Sequence, residues 1–497
     1  MEAGKESQST AWRCMDKRTH RARAALDAAL PLAAGLVLRL LMLRNIFEVN
    51  GDSLTYGDLA RNLLLHGSFA FTLPGGGIYP TLIRLPGYPL FLAACFRIFG
   101  LENYFAAVCV QIALELLGCI LLAGFVRRVV PPPASRGAAL ATLWLACLCP
   151  FTASYAVAPL AETPTLFVLA LAMWAMARFR NRTNWANALW FTFAVTCAAL
   201  LRPDGVLAAV AFAPALVAGL QRGTIARQKL TRMTVVCVLL ALAPFAIWTG
   251  RNWRVFHVFE PLAPRLAIDP DERPNLGWER WVKSWCLDFV STYDIYWNVP
   301  GDRLNMSRLP SRAFDSPAQY AETAAIAADY NSRGMAITRE IDARFDKLAR
   351  ERIAAHPLRY YVGLPLGRVA DMWLRPRIEN LNIDIDWWVY ARHRRDTEFG
   401  WAYVALNALY LMLGIAGLCI PPQRRRPVVG DPGLRPRFWG ALLAYMVLRS
   451  VLLLTVAAPE ARYTLECFPM LFAAGGIAIG RVIERRYLSK EKALGWQ

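Results

Sequence analysis

The sequence is poor in the residue patterns that build metal centres and disulfide frameworks. Only five of its 497 residues are histidine, and no HExxH motif is present. It has 11 cysteines, but none forms a CxxC pair and most lie inside apolar runs, where they act as small packing residues. No internal repeat is found, and the long polar region lacks the alternating pattern of β-strands. These absences argue against a structural zinc site, a disulfide framework and a separate β-rich sugar-binding domain.

The chain is instead rich in apolar residues. Hydrophobic residues make up 56% of it, and 17 residues are tryptophan. A chain this long and apolar is typical of an integral membrane protein rather than of one soluble domain. Its net charge of +19 could indicate nucleic-acid binding, but the basic residues stand in short clusters between apolar runs, as in the loops of membrane proteins. We therefore predict a bilayer partner and no nucleic acid.

Ten apolar stretches are long enough to span a bilayer, which takes roughly 17 to 25 residues. They lie at about 28–46, 103–126, 137–157, 161–178, 185–201, 204–220, 232–249, 400–420, 437–457 and 464–483. Basic residues at Lys17, Arg18, Arg21 and Arg23 precede the first stretch, and no small-residue cleavage site follows it. This pattern predicts a retained helix and not a signal peptide.

Two further apolar segments, 86–100 and 357–375, are short or carry charges, and the distribution of basic residues indicates whether they cross. If neither crosses, one side of the membrane receives the Arg-rich loops 127–136, 178–182, 221–232 and 421–437. The short loops opposite then hold only Arg202 and Arg462. Because positive loops stay in the cytoplasm, we predict that both segments are interfacial or re-entrant helices and that both termini are cytoplasmic.

This topology divides the chain into five parts. They are a cytoplasmic basic N-terminus at 1–27, a transmembrane catalytic module at 28–249 with an extracytoplasmic loop at 47–102, an extracytoplasmic loop with helices at 250–399, C-terminal transmembrane helices at 400–483 and a cytoplasmic tail at 484–497. Within the long loop, residues 317–355 have the amphipathic pattern of one or two helices. The predicted fold class is an all-α polytopic membrane protein with about ten transmembrane helices, interfacial helices and a small, mainly helical extracytoplasmic region.

The stretch from residue 47 to 89 gathers polar residues beside the first membrane helix. It contains Glu48, Asp52, Asp58, His66 and Arg84, with proline and glycine at its turns. An acidic residue just outside a first membrane helix, a helical stretch after it and an R-x-P-G-Y-P turn resemble the C-type glycosyltransferases that use lipid-phosphate sugars. The resemblance is closest to glycosyltransferase family 39, the protein O-mannosyltransferase and aminoarabinose transferase group. The segments GRNWRVF at 250–256 and EARYTLECFP at 460–469 carry the same resemblance.

The resemblance implies that Asp52 is the general base that takes the proton of the acceptor hydroxyl. An alternative role exists, because Asp52 or Ser53 could cap the following helix. The family often has two adjacent acids here, whereas this chain has Gly51-Asp52-Ser53. The second acid is therefore unassigned, with Glu48 and Asp58 as candidates.

Glu162 is the second predicted catalytic residue. It lies at the outer start of a membrane helix between Pro159 and Pro164, where a carboxylate is costly unless it is hydrated or paired. The resemblance implies that it orients the acceptor or helps to hold a cation. The alternative is an interface anchor stabilised by the dipole of the helix N-terminus.

Several further residues on the predicted extracytoplasmic face are candidates for substrate contacts. Arginine binds phosphate bidentately, so one or two of Arg84, Arg202, Arg251 and Arg462 should bind the phosphate of the departing lipid. The alternative for each is snorkelling or a headgroup contact. Tyr56, Tyr88, His66 and Glu460 are predicted to contact the substrate.

The sequence predicts no definite metal site. His66 and His257 could ligate a cation together with Asp52 or Glu162, but their spacing fits no known motif. The triplets at 269–271 and 384–386 match D-x-D, a pattern short enough to arise by chance. A divalent cation is thus a possible cofactor and not an assigned one.

Inside the bilayer, Arg39 and Glu115 lie at comparable depth in the first two predicted spans. Charged side chains there usually pair with one another, so we predict a structural clamp between them. Arg449 lies slightly past the middle of the ninth span.

The resemblance implies an inverting glycosyltransferase with the C-type glycosyltransferase fold, and the predicted topology places its active site on the extracytoplasmic face of a bacterial inner membrane. By the resemblance, its donor is a polyprenyl-phosphate sugar that enters from the bilayer, and its acceptor is a lipid, a glycan or a protein. A transporter or flippase of a lipid-linked or anionic solute is the main alternative, but it would show repeated halves and charges near the midplane. A non-catalytic assembly subunit is the third possibility.

Overall fold

The computed structural model describes residues 26–220, 227–420 and 435–493. Nearly all of the predicted basic N-terminus lies outside the described residues. So do parts of two predicted cytoplasmic loops, at 221–226 and 421–434, and the end of the predicted tail, at 494–497.

The described chain is mainly helical. Its first half contains α1 (Leu26–Ile46), α2 (Asp52–His66), α3 (Gly87–Phe99), α4 (Tyr104–Val129), α5 (Ala134–Cys147), α6 (Pro150–Ala156), α7 (Glu162–Asn181), α8 (Trp185–Leu201), α9 (Val206–Leu220) and α10 (Arg227–Phe256). Its second half contains α11 (Leu276–Lys283), α12 (Phe289–Ser291), α13 (Pro317–Ser332), α14 (Arg339–Ala355), α15 (Leu364–Leu374), α16 (Arg394–Cys419), α17 (Arg435–Leu453) and α18 (Phe468–Ala493). Short 3₁₀ or π turns lie at Pro203–Gly205, Thr292–Tyr296, Met306–Arg308, Ser311–Ala313, Arg359–Gly363 and Ala461–Cys467.

All ten predicted spans coincide with helices. Within the described residues, five helical stretches are long and apolar enough to cross a membrane: α1, α4, most of α10, α16 and Ala461–Arg485. The pair α5 and α6, bent by 54° at the break before Pro150, adds a sixth if it forms one span. The other predicted spans are α7, α8, α9 and α17, which are shorter or carry charges at their ends. The prediction of an all-α polytopic membrane protein is confirmed.

Small residues allow the membrane helices to approach closely. A Cβ atom at Gly480 of α18 would lie 2.6 Å from the Cα atom of Ala138 on α5. A Cβ atom at Gly417 of α16 would lie 2.0 Å from the carbonyl oxygen of Ala474 on α18. Van der Waals packing of this kind holds helices together where the surrounding lipid is as apolar as the side chains. It fixes α18 between α5 and α16.

The long polar region between α10 and α16 is mainly helical, and the helices predicted in it are present. Residues 317–355 form α13 and α14, whose N-termini are capped by the side chains of Ser316 and Thr338. A tryptophan cluster packs them against α11: the ring centroids of Trp278 and Trp281 lie 5.0 and 4.9 Å from that of Phe345 on α14.

A two-stranded hairpin, which the sequence did not predict, follows α2. Strands β1 (Ala70–Thr72) and β2 (Ile78–Pro80) pair antiparallel. Asp58 of α2 holds the hairpin, since its carboxylate accepts hydrogen bonds from the backbone N–H of Thr72 at 2.7 Å and from its hydroxyl at 2.6 Å. Asp58 is thereby committed to local structure.

The two ambiguous segments are helical. α3 has 13 residues, which give a length of about 20 Å, well under the ~30 Å of the hydrocarbon core. α15 has 11 residues, but it continues directly from the π turn Arg359–Gly363, so the second segment is helical from 357 to 374. Gly87, at the start of α3, packs against the end of α8, where an added Cβ atom would lie 2.5 Å from the carbonyl oxygen of Leu200. This contact presses the R-L-P-G-Y-P turn against the residues just before Arg202.

The predicted clamp between Arg39 and Glu115 is present. Both side chains are buried, and Arg39 Nη2 donates to Glu115 Oε1 at 2.6 Å. The same guanidinium donates to the carbonyl oxygens of Gly35, at 2.8 Å, and Cys147. α1 is thus joined to α4 and to the end of α5.

Replacing Glu115 alone with leucine leaves a buried, unpaired guanidinium, whereas Arg39→Met combined with Glu115→Leu removes both charges. We expect the single variant to be destabilised by about 3–5 kcal/mol and the double variant to recover most of that loss. Thermal unfolding in detergent, followed by tryptophan fluorescence, measures both. Equal melting temperatures for the two variants would contradict the clamp.

Gly87→Ala places a methyl group where the Leu200 carbonyl lies. We expect it to lower the melting temperature, because the facing atoms are backbone and cannot move aside cheaply. Gly75→Ala is the matched control, since nothing lies within 4 Å of a Cβ atom at that position. If Gly87→Ala melts at the temperature of the control, the close packing of α3 on α8 is refuted.

Candidate active site

One large cavity collects most of the predicted site residues. Its volume is about 1060 Å³. The walls come from the start of α2, the turn before α3, the start of α7, the α8–α9 turn, the segment after α15 and the turn before α18. Among the predicted residues, Asp52, Tyr56, Arg84, Glu162, Arg202, Glu460 and Arg462 line it.

Asp52 is the first residue of α2 and faces this cavity. The preceding Gly51 has φ 47° and ψ −121°, a conformation that glycine adopts readily, and no side chain caps the helix. The Asp52 carboxylate is instead bound by two guanidinium groups, Nη2 of Arg84 at 2.9 Å and Nη1 of Arg462 at 3.1 Å. The structure therefore does not show the alternative role of Asp52 as a helix cap.

The two arginines determine the acidity of Asp52. Burial by itself raises the pKa of this carboxyl group, but the charges and hydrogen bonds of Arg462 and Arg84 outweigh burial and leave the pKa below its usual value. Asp52 is thus ionised at neutral pH.

Glu162 is also surrounded by arginines. It is the first residue of α7 and is 3% exposed. Its Oε1 lies 3.1 Å from Nη1 of Arg202 and 3.8 Å from Nη1 of Arg462. Arg462 therefore bridges Asp52 and Glu162, and both predicted catalytic carboxylates share one cation.

Glu460 fixes the position of Arg462. Its carboxylate lies 2.5 Å from Nε of Arg462 and accepts a hydrogen bond from the hydroxyl of Tyr463 at 2.5 Å. All three residues lie in the turn that leads into α18, so the packing of that helix on α5 and α16 places them.

A second group of charged residues, which the sequence analysis did not assign to the site, forms ion pairs with Arg202. Arg202 Nε lies 2.8 Å from Glu466 and 3.5 Å from Asp204. The buried Arg449 pairs with the same two carboxylates. The signal was present, since Arg449 and Glu466 are ionisable residues in apolar helical segments, and such residues usually pair.

Three predicted contact residues lie elsewhere. Arg251 donates to the backbone carbonyls of Phe69 at 2.7 Å and Thr81 at 2.8 Å, so it holds the hairpin region. Tyr88 is fully buried and donates to Gln111 at 2.7 Å, behind Tyr56. His66 is exposed at the end of α2. None of the three lines the cavity. Of the two candidate auxiliary acids, Glu48 lines the cavity and Asp58 does not.

The segment after α15 forms another wall that the sequence analysis did not single out. Arg375, Glu379 and Asn380 line the cavity there, as do the aromatic residues Phe289 and Trp297 opposite. Burial raises the pKa of the Glu379 carboxyl group, and the nearby Arg375 only partly opposes this. The segment has no helical or strand periodicity, so sequence patterns give no signal for it.

The carboxylates near Asp52 do not form a free set of metal ligands, since Asp52, Glu162 and Glu460 all pair with arginines. Neither His66 nor His257 lines the cavity. Within the described residues, ligand atoms suited to a metal ion cluster at Asp384, His393 and Asp396, all within 4.8 Å of one another. Asp384 belongs to the second predicted D-x-D triplet and lines the cavity.

The arrangement has the parts needed for transfer to a hydroxyl group. It offers an ionised carboxylate as a proton acceptor. Three of the arginines that line the cavity, Arg84, Arg202 and Arg462, can bind an anionic leaving group. The arginines are already paired in this structure, so an incoming phosphate has to compete with Asp52, Glu162 or Glu460 for them.

Comparison with known proteins gives a family match that includes several of the segments lining the cavity. Residues 83–248 match the family model described as dolichyl-phosphate-mannose-protein mannosyltransferase. No curated protein matches the chain. The matched range includes the turn with Arg84, the start of α7 with Glu162 and the α8–α9 turn with Arg202.

Among solved structures, the chain is similar to the archaeal oligosaccharyltransferase AglB from Archaeoglobus fulgidus in complex with an inhibitory peptide and a dolichol-phosphate. The TM-score is 0.49 at 14% identity, over 95% of this chain and 52% of that chain. It is also similar to ArnT from Cupriavidus metallidurans bound to undecaprenyl phosphate, with a TM-score of 0.37 at 15% identity, over 91% of this chain and 77% of that chain. The chain spans about half the length of the archaeal structure. The family match confirms the predicted resemblance to the protein O-mannosyltransferase group of C-type glycosyltransferases over residues 83–248.

Proposed function

We propose that this chain is a membrane glycosyltransferase that takes a sugar from a polyprenyl-phosphate donor and transfers it to an acceptor at the extracytoplasmic face. The observation that carries the proposal is the carboxylate of Asp52, held between Arg84 and Arg462 in a cavity large enough for a sugar and its acceptor. The family match supports the donor class, because the matching family is that of the dolichyl-phosphate-mannose-protein mannosyltransferases.

The arginines are assigned to the donor phosphate. Arg84, Arg202 and Arg462 line one cavity and can each give two parallel hydrogen bonds to phosphate oxygens. The negative charge on the leaving phosphate grows as the glycosidic bond breaks, so donors already in place stabilise the transition state. Glu162 and Glu460 act as positioning residues that orient Arg202 and Arg462.

Asp52 is assigned as the general base. The acceptor hydroxyl oxygen attacks the anomeric carbon from the face opposite the phosphate, and its proton passes to the Asp52 carboxylate. The bond between the anomeric carbon and the phosphate oxygen breaks, and the electron pair leaves with the polyprenyl phosphate. A single displacement of this kind inverts the configuration at the anomeric carbon.

The ion pairs suggest how donor binding activates this base. In the structure described here, Arg84 and Arg462 keep the pKa of Asp52 low, and a carboxylate with a low pKa is a weak base. A bound phosphate takes hydrogen bonds from the same guanidinium groups. Asp52 then loses part of its stabilisation, and its pKa rises because burial is no longer outweighed.

Asp52→Asn tests the proposal. We expect transfer from a radiolabelled undecaprenyl-phosphate sugar to fall by about 10²–10⁴-fold, while binding of undecaprenyl phosphate to the purified protein stays within a few-fold of wild type or tightens, because a competing carboxylate has gone. Glu351→Gln, an exposed position outside the cavity, is the control and should transfer normally. Full transfer by a folded Asp52→Asn protein would rule out the base assignment, and flux of an intact lipid-linked sugar without transfer would favour a transporter.

The pH dependence of the transfer rate tests whether Arg84 and Arg462 exchange Asp52 for the donor phosphate. Because the pKa of Asp52 is lowered in the free protein, the acid limb of kcat/KM should lie below that of an ordinary aspartate, whose pKa is about 3.9. The acid limb of kcat, which reports the donor-bound protein, should lie at higher pH. Arg84→Gln should move the kcat/KM limb upward, since one of the two stabilising charges is removed. An Arg84→Gln profile identical to wild type would refute the coupling.

A further inference from the structure

An aromatic surface forms one wall of the cavity. Phe289, Tyr293 and Trp297 follow at spacings of four along α12 and the π turn at 292–296, and all three line the cavity. The ring centroid of Trp297 lies 5.3 Å from that of Phe289 and 5.8 Å from that of Tyr293. Tyr293 is 46% exposed and Trp297 47% exposed, so two large rings are open to an occupant. We call these three residues the aromatic wall.

Polar atoms without hydrogen-bond partners lie beside this wall. Glu379 and Arg375 have side chains only 9% exposed, and their charged atoms lie 3.2 Å apart. This ion pair joins Oε1 of Glu379 to Nε of Arg375 without the geometry of a hydrogen bond, and Nδ2 of the adjacent Asn380 is buried without a hydrogen-bond partner among the described residues. The Arg375 guanidinium lies 4.8 Å from the ring centroid of Phe289, which joins this polar group to the aromatic wall. Buried polar groups without partners are costly, so they call for a ligand.

The aromatic wall is tied to the proposed catalytic residues. The hydroxyl of Thr292, in the π turn, donates to the carbonyl oxygen of Pro459 at 3.1 Å, directly before Glu460. Glu379 and Asn380 line the same cavity as Asp52, and Tyr155 forms part of its lining. The polar group and Asp52 therefore border one continuous space.

The chemistry of this wall fits a carbohydrate. A sugar ring has apolar C–H faces, which pack on aromatic rings, and hydroxyl groups, which pair with carboxylate and amide groups. A polyprenyl chain has no hydroxyl groups that could pair with Glu379 and Asn380. We infer, on the basis of the proposed function, that the aromatic wall with Glu379 and Asn380 is the acceptor subsite and that the acceptor presents a sugar there.

Binding measurements test this subsite without turnover. The full-length protein in lipid nanodiscs is applied to an array of purified oligosaccharides, glycolipids and synthetic peptides, as wild type and as Glu379→Gln and Trp297→Ala. Wild type should retain a set of glycans. Glu379→Gln and Trp297→Ala should bind these glycans with at least about tenfold lower affinity, as expected for the loss of a buried hydrogen bond or of a stacked ring. Binding of undecaprenyl phosphate should be unchanged in both variants.

Matched controls separate the subsite from general effects. Trp190→Ala removes a tryptophan of similar exposure, 49%, that does not line the cavity, and Glu351→Gln removes an exposed carboxylate elsewhere. Both should bind glycans as wild type does. No glycan bound by wild type, equal binding by all variants, or a preference for peptides that depends on Trp297 would each overturn the inference. Glycan binding that depends on Trp297 in a protein that does not bind undecaprenyl phosphate would uphold the subsite and overturn the proposed donor.

Discussion

Burying a carboxylate is tolerable only when cations or hydrogen-bond donors replace the water that it loses. Five carboxylates meet this condition at the cavity and beneath it by sharing four arginines. The carboxylates are Asp52, Glu162, Asp204, Glu460 and Glu466, and the arginines are Arg84, Arg202, Arg449 and Arg462. Three of the arginines have at least two acidic partners. Segments more than four hundred residues apart are thereby bound to one another, and the cavity keeps its shape.

Helix packing brings this network together. The close contacts of α18 with α5 and α16 depend on small residues, and they fix the turn that carries Glu460 and Arg462. The contact of Gly87 with the end of α8 sets the turn of Arg84 beside that of Arg202. Apolar packing positions the backbone, and the charges then select the side-chain arrangement.

The sequence predicted the parts of the site that follow from local composition. Apolar runs and the distribution of arginine indicated the helices and the common face of Asp52, Glu162, Arg202 and Arg462. Strands of only three residues are too short to give an alternating pattern, so the hairpin was missed. Arg251 illustrates a second limit, because no local pattern distinguishes an arginine that binds backbone carbonyls from one that faces a cavity. Glu379 is buried by segments that are distant in the sequence, so the residues next to it show no pattern that would predict its burial.

The hydrogen bond between Thr292 and Pro459 joins the aromatic wall to the turn of Arg462. Arg462 in turn pairs with Asp52, so these two contacts limit how far the aromatic wall can move from the proposed base. A sugar ring that is bound at the aromatic wall would then bring to Asp52 only those hydroxyl groups that lie at a matching distance along the acceptor. The distance between the aromatic wall and Asp52 would thus select which acceptor hydroxyl reacts. A change in the spacing of the two segments that carry them would change the acceptor and leave the proposed chemistry the same.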